Sequence, residues 1–183
     1  MSVSPPHSLV RFYCLSDLYQ LGPKPEISPT VRVRLWRPGD RIPGPETFLG
    51  HTHFFYLAFH RLGLFANDDY SAICIEEDDG TLLHVSCIFP RFFRFPFMAK
   101  NDLQIGATFT VVGARGRGLA KLALIEAVRQ LASPGRAFWY LAEEVNQASC
   151  RVADQAGFKV VGHGARIARL GLSVLGAYRI VHG

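Results

Sequence analysis

Residues Arg115-Gly116-Arg117-Gly118-Leu119-Ala120 stand between an extended apolar run, Leu103 to Val112, and a strongly helical one, Leu119 to Leu131. A strand that runs into a glycine-rich turn and then a helix N-terminus constrains both the local fold and the ligand chemistry. The first N–H groups of a helix have no partner inside it, and they point outward at the positive end of the helix dipole. Gly116 and Gly118 let a phosphate approach the backbone with no Cβ in the way, and Arg115 and Arg117 add positive charge beside it. The pattern predicts a site for a phosphorylated compound. No Gly-Lys-Ser/Thr follows, which excludes a Walker A loop, and the G-x-G-x-x-G spacing of a dinucleotide-binding turn is missing.

The elements around this turn alternate in type. Ser8 to Leu21 has apolar residues near helical spacing and reads as helical, and Gly22 to Pro29 is a Pro-rich link that ends it. Val31 to Trp36 alternates like a strand, and His51 to Phe65 reads as an amphipathic helix. Tyr70–Glu76 and Leu82–Phe89 flank Asp78-Asp79-Gly80, a strong hairpin signal. Ala137–Ala142 reads as a short strand, and Asn146–Ala156 as a helix stopped by Gly157. Phe158–Val161, Ala165–Leu170 and Val174–Val181 read as closing strands. A meander followed by strand–helix–strand–helix–strand is an α/β order with mixed pairing.

The chain of 183 residues is 49% hydrophobic and 19% charged, which suits one globular domain over residues 1–183, with 1–29 as a helical extension and link. No apolar run approaches the roughly 20 residues that cross a bilayer, and Met1 to His7 lacks the segments of a signal peptide. Cys14, Cys74, Cys87 and Cys150 are scattered with no C-x-x-C, so they read as reduced thiols of a cytoplasmic protein. The net charge of +5 suits an anionic ligand, and no basic run marks a nucleic-acid arm.

From about Leu103 to Gly162, about a third of its length, the chain resembles the GNAT superfamily of acyl-CoA-dependent N-acyltransferases. Arg115, Gly118 and Ala120 match the superfamily's Q/R-x-x-G-x-G/A motif. Tyr140-Leu-Ala-Glu-Glu-Val-Asn146 matches its next strand and Asn-led helix, and Asn146-x-x-Ser149 followed by Gly157-Phe158 resembles its closing signature. The resemblance implies a mixed, mostly antiparallel twisted sheet of about seven strands flanked by helices. It implies that the backbone around Arg115, Gly116, Arg117, Gly118, Leu119 and Ala120 binds the pyrophosphate of coenzyme A. It further implies that Phe109, Thr110 and Val111 pair with the pantetheine arm, and that Asn146 and Ser149 sit near that arm or the leaving thiol. The implied activity is transfer of an acetyl or other short acyl group from acetyl-CoA to a primary amine of a small molecule. The alternatives are a long-chain acyl-CoA or acyl-carrier-protein N-acyltransferase, including one acting on a sugar or lipid precursor, and a non-catalytic CoA-binding domain.

Such a reaction needs a base for the amine, a donor for the oxyanion and an acid for the thiolate. Many family members supply the acid from a tyrosine seven residues after the Asn, and here that position is Ala153. A thiol with an unperturbed pKa of about 8.5 can also leave unaided. Glu143 and Glu144, at the end of a strand, and His84, inside one, are the candidate bases. Ser86 and Cys87 lack an evident partner and read as core rather than as nucleophiles. His51 and His53 lack a third metal ligand and read as a helix start. Phe89 to Met98 holds five phenylalanines and two arginines. It reads as a cover for the core or a substrate mouth; the same composition suits a membrane face or a homodimer contact.

Overall fold

The computed structural model describes residues 9–41, 50–169 and 172–181. In chain order the elements are β1 (Val10–Leu15), β2 (Val31–Trp36), α1 (Gly50–Arg61), β3 (Ser71–Glu77), β4 (Leu82–Pro90) and β5 (Leu103–Thr110). Then follow α2 (Leu119–Leu131), β6 (Phe138–Glu143), α3 (Gln147–Gln155), β7 (Lys159–Arg169) and β8 (Leu172–Val181). All eight strands form one sheet in the order β2-β3-β4-β5-β6-β1-β7-β8. Among the described strands, only the β5–β6 pair is parallel.

The sheet separates two apolar layers. On one side α2 buries Leu122, Ile125 and Val128 against Ile73, Ile75, Ile88 and Ile105, and α3 adds Cys150 and Ala153. A helix this apolar on most of its surface must lie under other elements. The other side is aromatic: Trp36, Tyr56, Phe65, Tyr70, Phe89, Phe92 and Phe95 form one cluster. Phe65 stacks on Tyr70 at 5.4 Å between centroids, and Phe92 meets Phe95 edge-on at 5.0 Å.

Two parts of the chain depart from the sequence reading. The N-terminal segment is not a helical extension: Val10–Leu15 is a strand in the interior of the sheet, paired with β6 on one side and β7 on the other. Both its faces are covered, Tyr13 and Leu15 by the helix layer and Phe12 by Phe97 and Tyr178. The register with β7 shifts between Phe12 and Tyr13, which disturbs the alternation further. A strand buried on two faces shows no two-residue period, and its apolar run is indistinguishable from a helical one by pattern. The closing segment shows the reverse effect. Where the sequence reading breaks two short strands at Gly162 and Gly164, β7 continues through both. A Cβ at Gly164 would lie 1.9 Å from the Arg179 carbonyl oxygen, so glycine serves close strand approach there rather than a turn.

The pairing of β5 with β6 is short. It holds Leu103 to Phe138, Gln104 to Trp139 and Ile105 to Tyr140, and then stops. At the closed end, the buried Asp102 accepts hydrogen bonds from the Ala99 N–H (2.9 Å), the Ala137 N–H (3.1 Å) and the Trp139 indole N–H (2.9 Å). At the open end, the Gln104 side-chain amide donates to the Ile105 carbonyl at 2.7 Å, and β5 carries one extra residue against β4 between Gly106 and Phe109. Ala107 in that bulge has φ +46, the one positive φ outside glycine among the described residues. A bulge bends its strand and strengthens the local twist, so β5 follows β4 while β6 follows β1. The two strands part into a V beside α2 and α3.

Asp102→Ala removes three hydrogen bonds to one buried carboxylate and leaves three donors unmet. It is expected to lower unfolding stability by about 3 kcal/mol, read from the urea midpoint. An unchanged midpoint would refute the carboxylate's part in closing the V.

Candidate active site

The V opens into a cleft of about 560 Å³ bounded by β5, the glycine turn, the first turn of α2, β6 and α3. Its walls carry three cations, Arg115, Lys121 and Arg151, and no carboxylate among the described residues. The N-cap of α2 is Gly118 at φ +75, a left-handed conformation that suits glycine, and no side chain caps that end. Among the described residues, no protein acceptor takes the N–H groups of Leu119, Ala120 or Lys121. Gly116, at φ +80, has open space where a Cβ would stand. An uncapped helix start, an open backbone cradle and three cations make a site for a multiply charged anion.

The structure places Phe109, Thr110, Arg115, Gly116, Gly118, Leu119, Ala120, Asn146 and Ser149 around this cleft. Two expected residues lie elsewhere. The Val111 N–H donates to the Leu83 carbonyl at 3.0 Å, and its side chain packs on the helix-side core. Arg117 turns outward to Glu77, at 3.4 Å. Strand alternation fixes which amides face the opening. Phe109 sits opposite Val85, so its backbone groups serve β4, whereas those of Thr110 turn toward the V. The Thr110 carbonyl accepts from the Arg115 Nε at 3.3 Å, which ties the strand end to the turn. Asn146 caps α3, its side-chain oxygen accepting from the Ser149 N–H at 3.1 Å.

The candidate bases fall into two environments. Glu143 is exposed at the end of β6. Glu144 accepts from the Arg11 Nε at 3.4 Å and pairs with His163 Nδ1 at 2.5 Å. Neither carboxylate lines the cleft. His84 lies fully buried behind β5, with Nδ1 2.7 Å from Thr110 Oγ1 and Nε2 2.9 Å from Ser86 Oγ. Ser86 Oγ in turn lies 3.1 Å from Thr108 Oγ1. Burial lowers the His84 pKa to about 4, so the ring is neutral near pH 7. It reaches the cleft only through the two threonine hydroxyls.

Sequence reasoning missed Thr108, Lys121, Tyr140 and Arg151 as cleft residues. Tyr140 occupies the last position at which β6 pairs with β5, where the two strands part. Burial raises its phenol pKa, and hydrogen bonding from Ser149 and Thr108 works in the opposite direction. Burial also pushes the Cys87 thiol up to about 12, which leaves it un-ionised and unreactive at neutral pH. The side chains of His51 and His53 lie outside the described residues, and no three metal-ligating side chains cluster among those described. Ala153 is fully buried on the inner face of α3 and does not line the cleft. In the aromatic loop, Phe89, Phe92 and Phe95 fill the core, while Phe93 stays partly exposed beside Arg91. No helix among the described residues is long and apolar enough to cross a membrane.

His84 couples stability to pH. Its folded pKa lies below the unfolded value of 6.5, so the unfolded chain binds the proton first. Stability is therefore unaffected above pH 6.5 and falls as pH drops toward 4, by roughly 3 kcal/mol over that window. His84→Gln, which cannot titrate, is expected to flatten this part of the stability curve. An identical acid limb in the variant would contradict the burial of an uncharged ring.

No family model matches the sequence, and no curated protein matches it. Solved structures do match. A Drosophila protein superposes with a TM-score of 0.57 at 16% identity, over 85% of this chain and 48% of its own. A GCN5-related N-acetyltransferase from Sphaerobacter thermophilus gives 0.55 at 18% identity, over 86% and 50%. An acetyltransferase of the GNAT family from Colwellia psychrerythraea gives 0.51 at 17%, over 88% and 55%. The chain spans about half the length of these structures. The chain has the fold of the GNAT acetyltransferases.

Proposed function

We propose that the cleft binds coenzyme A thioesters and that the chain transfers an acetyl or other short acyl group from acetyl-CoA to a primary amine of a small molecule. The single observation that carries this reading is the wall chemistry: three cations, no carboxylate among the described residues and an uncapped helix start at the mouth of a parted sheet. Arg115, Lys121, Arg151 and the N–H groups at the start of α2 would hold the phosphates. The outward-turned backbone of Thr110 would extend along the donor's amide-bearing arm as a strand neighbour does. The matching fold supports the same assignment. A short acyl group is favoured because the phenylalanines that could line a long channel pack on each other in the aromatic core instead. The buried alanine at position 153 favours, as the second reading, a domain that binds the donor without turning it over.

Calorimetry with acetyl-CoA is expected to show one site per chain. Arg115→Ala and Arg151→Ala should each weaken it about tenfold, or ~1.4 kcal/mol. Raising salt should weaken the wild type more than either variant, since each variant has lost a screened charge. Mass spectrometry of a screened amine panel should then show an acetylated product. Absence of acetyl-CoA binding would sink the proposal, and binding without product would favour the second reading.

A further inference from the structure

The polar groups beneath the cleft floor form a continuous chain. Thr110 Oγ1, His84 Nδ1, His84 Nε2, Ser86 Oγ and Thr108 Oγ1 follow one another at 2.7, 2.9 and 3.1 Å across the three contacts. Both ends open on the same cleft, Thr110 next to the Arg115 turn and Thr108 toward the point where β5 and β6 part. The middle of the chain is fully buried, and an apolar sheet interior does not hold an imidazole and a hydroxyl without cost. A valine or leucine at position 84 would fill the same space without needing partners.

The geometry points to a proton relay, in which Thr110, His84, Ser86 and Thr108 pass protons between the turn end of the cleft and its depth by tautomer exchange of the His84 ring. A hydroxyl beside an imidazole also suggests a nucleophile with its base. That role needs a stabilised imidazolium, and among the described residues His84 meets two hydroxyls and no carboxylate. A ring kept neutral, with a hydroxyl on each nitrogen, can take a proton on one side and release one on the other without carrying charge.

This inference rests on the transferase reading, because that reaction both releases and consumes a proton. The amine lone pair forms the new N–C bond, and the C–S bond breaks with its electron pair left on sulfur. One proton must leave nitrogen and one must reach sulfur. Outward, Thr108 takes the proton from nitrogen and gives its own to Ser86, and Ser86 gives one to His84 Nε2. His84 Nδ1 then releases one to Thr110, which gives one to water. Inward, the same moves run in reverse, beginning with a proton from water at Thr110 and ending at sulfur. The two passages return the ring to its starting tautomer, and no residue ends the cycle charged.

Two measurements test the relay. In the ligand-free protein, 15N NMR of His84 should show both ring nitrogens at shifts averaged between protonated and bare. Ser86→Ala should lock the ring in one tautomer. A single fixed tautomer in the wild type would overturn the relay whether or not acetyl-CoA binds. In turnover, Ser86→Ala and His84→Gln should lower kcat by about 10²-fold, with calorimetric affinity for acetyl-CoA unchanged. Their solvent deuterium isotope effect should lose the curved dependence on deuterium fraction expected of several protons moving together. If Ser86→Ala binds acetyl-CoA and keeps both the wild-type rate and the curved isotope dependence, the relay is wrong and the transferase reading survives. If acetyl-CoA does not bind but the ring nitrogens exchange, the transferase reading is wrong and the relay survives as a property of the polar chain.

Discussion

The parting of β5 from β6 is the constraint on which the rest of the site depends. Two hydrogen bonds to the buried Asp102 carboxylate, from the Ala137 N–H and the Trp139 indole, hold the strands together at one end, and the Ala99 N–H steadies the same carboxylate. An extra residue at the bulge, with Ala107 in a strained conformation, drives them apart at the other. Backbone groups of a parallel pair normally satisfy each other. Past Ile105 and Tyr140 they face an opening instead, and an opening edged with unmet amides favours an extended polar ligand. Local strain is thus balanced by a strong clamp a few residues away. The clamp costs little because its partners, the Ala99, Ala137 and Trp139 N–H groups, are all supplied by fixed backbone or a packed ring.

The two faces of the sheet divide the work. The helix face brings α2 and α3 over the V and carries every cation of the cleft. The aromatic face is a mechanical layer in which α1 and the loop after β4 interlock ring by ring. Arg94, which donates to the Tyr56 hydroxyl at 2.9 Å and lies over the Phe92 ring, ties that loop to α1. A loop so rich in phenylalanine is therefore largely spent on core packing. Its exposed remainder, Phe93 beside Leu64 and Arg91, is a small patch.

Much of the cleft was legible in the sequence because its parts are local. A glycine turn before a helix needs only six consecutive residues to declare its chemistry, and the Asn146 cap declares itself by spacing. What was not legible depends on distant partners. His84 reads as an alternating strand residue, and nothing nearby in the chain says that Thr110 and Thr108 will cover it. Glu144 reads as a strand-end carboxylate, yet Arg11 and His163 occupy it from more than a hundred and from nineteen residues away. Val10–Leu15 read as helical because distant residues cover both of its faces, the helix layer on one side and Phe97 and Tyr178 on the other. Gly162 and Gly164 read as a break because the Arg179 and Ile180 atoms that forbid a side chain there lie on another strand.

The position of β1 has a consequence for how the chain reaches this structure. β1 is made early, yet Val10 pairs with Glu143 and Gly164, and no strand made before β6 can satisfy it. The meander β2-β3-β4-β5 can assemble as it emerges, since its neighbours are successive. One edge of β1 can close on β6, and the other stays unpaired until the chain has run through β7. Contacts of such long sequence separation carry a loop-closure cost and slow folding. The sheet is therefore sealed late by the first of its described strands, and that strand lies beside β6, which forms one wall of the cleft.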